Sequence, residues 1–159
     1  MNVLIRKGEE KDLPEIIENW EGLIRSNVAY NQTIFKLKPN YMALGRKFIK
    51  KNLRARNIAV YVAEVRGHVV GYMMVSVKKT PSIYAMDKEA YIGDLFVKSN
   101  FRRKGVGTLL LKEAEEWAKH KKLLQLSLNT NVKNHLAQKA YSKFGFDELN
   151  VKMVKLVVA

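Results

Sequence analysis

Three adjacent cations, Arg102, Arg103 and Lys104, run directly into Gly105-Val106-Gly107-Thr108. Ahead of them lies Tyr91-Ile92-Gly93-Asp94-Leu95-Phe96-Val97, an aromatic and β-branched run that predicts a buried strand. Behind them Val106, Leu109, Leu110, Ala114, Trp117 and Ala118 recur at helical spacing, with Lys112, Glu113, Glu115, Glu116 and Lys119 on the other face. A basic, glycine-containing turn that opens a helix suits an anion. The first helical turn leaves about four N–H groups without partners, and its dipole favours negative charge. Glycines let backbone approach a ligand with no Cβ in the way. The stretch therefore predicts a phosphate or pyrophosphate site. It is not a P-loop, because GxxxxGK[ST] is absent, and a dinucleotide GxGxxG would need glycine where Leu110 stands.

The elements that must position this turn can be read on either side of it. Leu124, Leu126 and Leu128 alternate with Gln125, Ser127 and Asn129, which predicts another strand with one polar face. Leu136, Ala137, Ala140, Tyr141 and Phe144 then follow helical spacing after Asn134, and Gly145 is a natural stop. Upstream, Val3-Leu4-Ile5-Arg6 reads as a first strand. Asp12-Leu13-Pro14-Glu15 reads as a helix start with Asp12 as N-cap, followed by a stripe from Leu13 to Ile24. A second helix spans Tyr41 to Leu53 and is strongly basic through Lys47, Lys50, Lys51, Arg54 and Arg56. That cluster reads as a solvated face rather than a nucleic-acid patch. Ile58–Val65 and His68–Val77 are strands joined at Arg66-Gly67, a tight hairpin signal, and Lys78 to Asp87 is a loop. Leu149 to Val158 is an apolar-rich closing strand, with a further short strand possible near Phe146. The order is β-α-α-β-β-β-α-β-α-β.

With both constellations in place, the chain resembles the GNAT superfamily of acetyl-CoA-dependent N-acetyltransferases. The resemblance rests on Leu95-x-Val97, Arg102-x-x-Gly105-x-Gly107 and Leu110, then Asn134-x-x-Ala137-x-x-x-Tyr141-x-x-x-Gly145-Phe146. It covers essentially the whole length and implies one α/β domain over residues 1–159, with a mixed, mostly antiparallel sheet flanked by helices. It implies acetyl-CoA as donor, held by Arg102, Arg103, Lys104, Gly105, Val106, Gly107 and Thr108 at the pyrophosphate. The backbone of Leu95, Phe96 and Val97 would lie beside the pantetheine arm, which Asn134 meets, with Asn129 close by. Tyr141 matches a residue that protonates the leaving thiolate, although its spacing suits a core aromatic as well. Transfer to an amine also needs a proton acceptor. Asp94 faces opposite Leu95 and Val97, so it either borders the acceptor cleft or holds a strand in place. Glu89 and Tyr91 lie nearby, and Glu64 is a weaker candidate. Some relatives carry an acid one place earlier, where Gly93 stands, which argues against a polyamine acceptor. Residues 27–38 and 79–88, with Tyr30, Phe35, Tyr84 and Met86, would shape the acceptor side.

Composition narrows the remaining choices. The 159 residues, 47% hydrophobic and 28% charged, suit one globular domain with a real core. Cysteine is absent, which excludes disulfides and a thiol nucleophile, and His68, His120 and His135 are too scattered to form a metal site. No apolar run approaches the ~20 residues of a membrane span. The N-terminal stretch lacks a signal-peptide core, so the expected place is the cytoplasm. The net charge of +14 favours polyanions (CoA itself, nucleic acid or acidic proteins) and an acidic or neutral acceptor over a polycation; the alternative is a lysine-rich surface tuned for solubility or heat. The expected partners are acetyl-CoA and an amine acceptor (a small amine, a protein N-terminus or a lysine), in a monomer or homodimer. Two other readings stay open: a basic nucleic-acid-binding module, and an acyl-CoA sensor without turnover.

Overall fold

A computed structural model describes residues 1–157. The elements are β1 (Leu4–Lys7), α1 (Leu13–Tyr30), α2 (Tyr41–Leu53), β2 (Ile58–Val65), β3 (His68–Lys79), β4 (Lys88–Val97), α3 (Val106–His120), β5 (Leu126–Leu128) and α4 (His135–Phe144), with 3-10 turns at Glu10–Asp12 and Ser99–Phe101. They build one sheet in the order β1-β2-β3-β4-β5. Its first three pairings are antiparallel and β4–β5 is parallel, so the expected mixed sheet is present. The β2–β3 hairpin turns at Arg66 (φ 51°) and Gly67 (φ 81°), where two successive left-handed residues match the twist of the strands.

Each face of the sheet buries its own core, because β-strand side chains alternate between faces. On one face Met73, Val75, Ala90 and Ile92 pack with Val106, Leu110, Ala114 and Trp117 of α3. On the other, Val62, Tyr72 and Met74 pack with Ile16 and Ile17 of α1 and Ile49 of α2. Two departures from strict alternation matter. Ala63 pairs with Gly71 while Glu64 pairs with Val69, and Met74 pairs with Asp94 while Val75 pairs with Ile92. The second makes Gly93 an extra residue in β4, a bulge.

Two expectations are corrected. No strand forms from Leu149 onward among the described residues, and Val158 lies outside them. Apolar composition makes a strand only where a neighbour's N–H and C=O groups complete a ladder. Among the described residues nothing pairs with this stretch, and Leu149, Met153 and Val157 are each more than 80% exposed. No short strand forms near Phe146 either; its ring packs against the α3-side core instead. Asp12 stands at the N-cap position of α1, as expected, but its side chain makes no capping hydrogen bond. Its oxygens take hydrogen bonds from Arg6 at 2.7 and 2.8 Å and from the Glu9 amide at 2.8 Å. A buried ion pair with β1 displaces the local cap.

Candidate active site

The Gly93 bulge organises the site. Ile92 faces the α3 side; without the extra residue Leu95 would point to the opposite side. With it, Leu95 and Val97 rejoin the α3-side core while Phe96 packs on the α1 side. Asp94 also turns toward the α1 side, where the fully buried Tyr72 donates its hydroxyl to Oδ2 at 2.9 Å. The parallel ladder to β5 runs only from Ala90–Leu126 to Ile92–Leu128. Beyond the bulge, Asp94 to Val97 pair with β3 alone, so the other edge of their backbone has no strand neighbour. A free strand edge accepts an extended, amide-bearing ligand as an added strand would. Leu95, Phe96 and Val97 therefore offer backbone, since their side chains are spent in packing. Phe96 fills the space against α1, where a Cβ on Gly22 would stand 2.5 Å from its ring.

The basic turn follows at once. Arg102 folds back, donating from Nε to the Val97 carbonyl at 2.7 Å, with its guanidinium 5.2 Å from the Phe96 ring centroid. Arg103 is left-handed (φ 57°), and Gly105 (φ 82°) is the residue from which α3 starts. The Leu109 amide makes the bond to Gly105 O, leaving Val106, Gly107 and Thr108 without a carbonyl one turn back. Val106 anchors the turn, being buried, while Lys104, Gly105 and Thr108 are exposed. A Cβ added at Gly105 or Gly107 would meet no protein atom within 4 Å. At Gly107, whose backbone is ordinary, no internal contact explains the missing side chain. None of Arg102, Arg103 and Lys104 pairs with a carboxylate among the described residues. Free amides, unpaired cations and open space at two glycines fit a pyrophosphate.

On the far side of the strand gap, Tyr141 packs from α4 onto the α3-side core, its ring 5.9 Å from Phe146 in an edge-on contact. Its hydroxyl makes no hydrogen bond among the described residues, and burial raises its pKa above the usual 10.0. It is a protonated donor with nothing to donate to inside the protein. Asn134 caps α4, accepting the Ala137 amide at 3.3 Å, so a structural duty of this residue is clear. Asn129 donates to the Tyr91 hydroxyl at 3.2 Å across the β4–β5 junction. Glu89 is buried, 3.0 Å from the Gln125 amide and 3.5 Å from Lys78 Nζ, so its charge is matched. Glu64 is bound to Arg6 at the β1 edge. Asp94 differs from both. Burial raises its pKa above 3.8, opposed only by the Tyr72 hydrogen bond, which lowers it.

Sequence reasoning missed the bulge and Tyr72. Glycine in a strand run was the available signal for the first. Nothing in the sequence marked Tyr72 as the partner of a residue 22 positions away. A cavity of about 540 Å³ lies elsewhere, among Lys7, Tyr61, Glu113, Trp117 and His120, near the far end of α3 from the turn.

A bulged strand that parts from its parallel neighbour beside a glycine turn opening a helix is the arrangement that the resemblance to CoA-dependent acyltransferases implies. The chain belongs to the Acetyltransferase (GNAT) family, whose model matches residues 20–146. It is 31% identical over 127 residues to the N-alpha-acetyltransferase of Sulfurisphaera tokodaii, covering 72% of this chain and 74% of that one. Two solved structures share the fold, each at 20% identity. A tetramutant of the BH1408 protein of Bacillus halodurans superposes with a TM-score of 0.86 over 97% of this chain and 99% of its own. AAC(6')-Iy in complex with the bisubstrate analogue CoA-S-monomethyl-acetylneamine gives 0.73 over all of both chains. The protein is an acetyl-CoA-dependent N-acetyltransferase. No described helix is long and apolar enough to cross a membrane.

Proposed function

We propose that the enzyme acetylates the α-amine of a protein or peptide N-terminus, with Asp94 as proton acceptor and Tyr141 as proton donor. The observation that carries this reading is Asp94: a desolvated carboxyl on the acceptor side of the bulge, with one neutral partner and no cation. An α-amine has an unperturbed pKa of about 8 and a lysine about 10.4, so near neutral pH the first is already partly uncharged. A carboxylate is a better match to the first than to the second. The relative named an N-alpha-acetyltransferase, which this chain matches over most of both lengths, supports the same choice.

Acetyl-CoA supplies the thioester carbonyl that the amine attacks. The turn from Arg102 to Thr108 would bind its pyrophosphate, and the edge of Leu95 to Val97 that has no strand neighbour would align the pantetheine amides. Asp94, held in one rotamer by Tyr72, takes the ammonium proton directly or through water. Tyr141 gives its hydroxyl proton to the departing sulfur, and its raised pKa keeps that proton in place at neutral pH. No covalent enzyme intermediate is required. The test is a peptide bearing a free N-terminus and one internal lysine, incubated with acetyl-CoA, its acetyl group located by tandem mass spectrometry. Acetyl on the α-nitrogen is expected. Acetyl on the lysine, or faster turnover of neamine than of any peptide, would overturn the choice of acceptor.

A further inference from the structure

We infer that the outer face of α2 and its groove against α1 form a docking site for an acidic protein segment with a bulky apolar anchor. The groove, about 290 Å³, is walled by Trp20 and Ile24 of α1 and by Leu37, Tyr41, Leu44 and Phe48. Its close packing comes from Gly45, where a Cβ would stand 2.3 Å from the Trp20 ring. Leu44 and Phe48, one turn apart on α2, are each 47% exposed. Neighbouring large apolar side chains left in water beside a ready groove mark a contact surface. On α1, Gly22 faces Phe96 of β4 while Trp20 faces Gly45 of α2, so the groove opens away from Phe96, although its Lys36 to Lys38 belong to the segment expected to shape the acceptor side.

Charge selects the occupant. Between Glu21 and Glu64 the sequence holds no acid and nine Lys and Arg residues. Lys36 and Lys38 rim the groove, and Lys47 and Lys51 flank the Leu44–Phe48 stripe on the exposed side of α2. The nearest carboxylate, Glu21, is already committed to Arg25 at 2.7 Å and to the Tyr41 hydroxyl at 2.8 Å. A second copy of this chain presents the same cations on a net +14 surface, and its α3 acids Glu115 and Glu116 are taken by Lys119. Like faces repel. Nucleic acid would find cations but little hydrogen bonding for its base edges, because the Tyr41 hydroxyl is spent on Glu21. Carboxylates on the lysine rim and one apolar side chain in the groove satisfy both features.

The experiment uses the full chain and a fluorescein-labelled, N-terminally blocked peptide with four acidic residues around a Leu-Phe pair, read by anisotropy at 150 mM salt. Saturable binding is expected, at least tenfold weaker for a peptide with Gly-Gly in place of Leu-Phe. The Leu44→Ser/Phe48→Ser protein should lose binding about tenfold, as should Lys47→Glu/Lys51→Glu, with melting temperature and acetyl transfer unchanged. Equal binding of the Gly-Gly peptide, or no binding of either, overturns the inference. Tighter binding of a labelled oligouridylate that these substitutions weaken would assign the face to nucleic acid and overturn it. Self-association abolished by Leu44→Ser/Phe48→Ser would do the same in favour of a second copy.

Discussion

Asp12, at the foot of α1, has the Arg6 guanidinium across both oxygens at 2.7 and 2.8 Å and the Glu9 amide at 2.8 Å. Asp94, in β4, has one neutral donor, the Tyr72 hydroxyl at 2.9 Å. Both carboxyls are drawn from water, and the outcomes are opposite. Arg6 holds Asp12 below 3.8, while burial pushes Asp94 above it. For Asp12, folding favours the ionised form, so its stabilisation is present above pH 3.8 and is lost as pH falls through the lowered folded pKa. For Asp94, folding favours the protonated form, so stability declines as pH rises from 3.8 through the raised folded pKa. A desolvated carboxylate with no cationic partner beside a strand gap supports the proposed role of Asp94 as proton acceptor. The ion pair at Asp12 ties β1 to α1 and has no such role.

The comparison is broken most sharply at Asp94 itself. Asp94→Asn keeps the Tyr72 hydrogen bond and removes the charge. Turnover at saturating acetyl-CoA should fall roughly 10²- to 10⁴-fold, while the melting temperature at pH 7 holds or rises. Wild-type turnover with lowered stability would make Asp94 a structural residue like Asp12. Tyr141→Phe comes next, with a fall of about 10²-fold in the chemical step. Single-turnover kinetics must be used, so that product release does not conceal it. Cofactor affinity and melting temperature should stay close to wild type, because the ring still packs against Phe146.

Arg6→Ala is the mirror experiment. It strands Asp12 without its cation and should cost about 3 kcal/mol, the low end for a broken buried pair because Arg6 keeps some exposure. Denaturant titration measures it, and turnover per folded molecule should be unchanged. The smallest effect is expected at Gly107→Val, whose side chain would occupy open space rather than clash with protein. The fold should be retained and acetyl-CoA should bind at least tenfold more weakly, about 1.4 kcal/mol. Unchanged affinity in the folded variant would remove the turn from the site.

Much of this contrast was legible beforehand, and unevenly so. The strand, glycine turn and helix around residues 91–119 could be read because period, composition and turn chemistry agreed there. Asp94 was placed on the correct side of β4 by its parity with Leu95 and Val97. Its environment was not legible, since Tyr72 reaches it through a long-range pairing that no local pattern encodes. Asp12 was read correctly as the N-cap position of α1, but its side chain's partner was not, because Arg6 on β1 takes both oxygens. The closing strand failed differently. Leu149 to Val157 has strand composition, but pairing is a property of two segments, and the sequence names only one of them.

The Asp12–Asp94 contrast can be measured directly by carboxyl ¹³C titration of the aspartate-labelled protein, which holds only Asp12, Asp87, Asp94 and Asp147. Substituting each in turn assigns the signals. The expected result is an Asp94 midpoint above 3.8 and an Asp12 midpoint below it. An Asp94 midpoint at or below 3.8 would contradict the role of Asp94 as a desolvated proton acceptor.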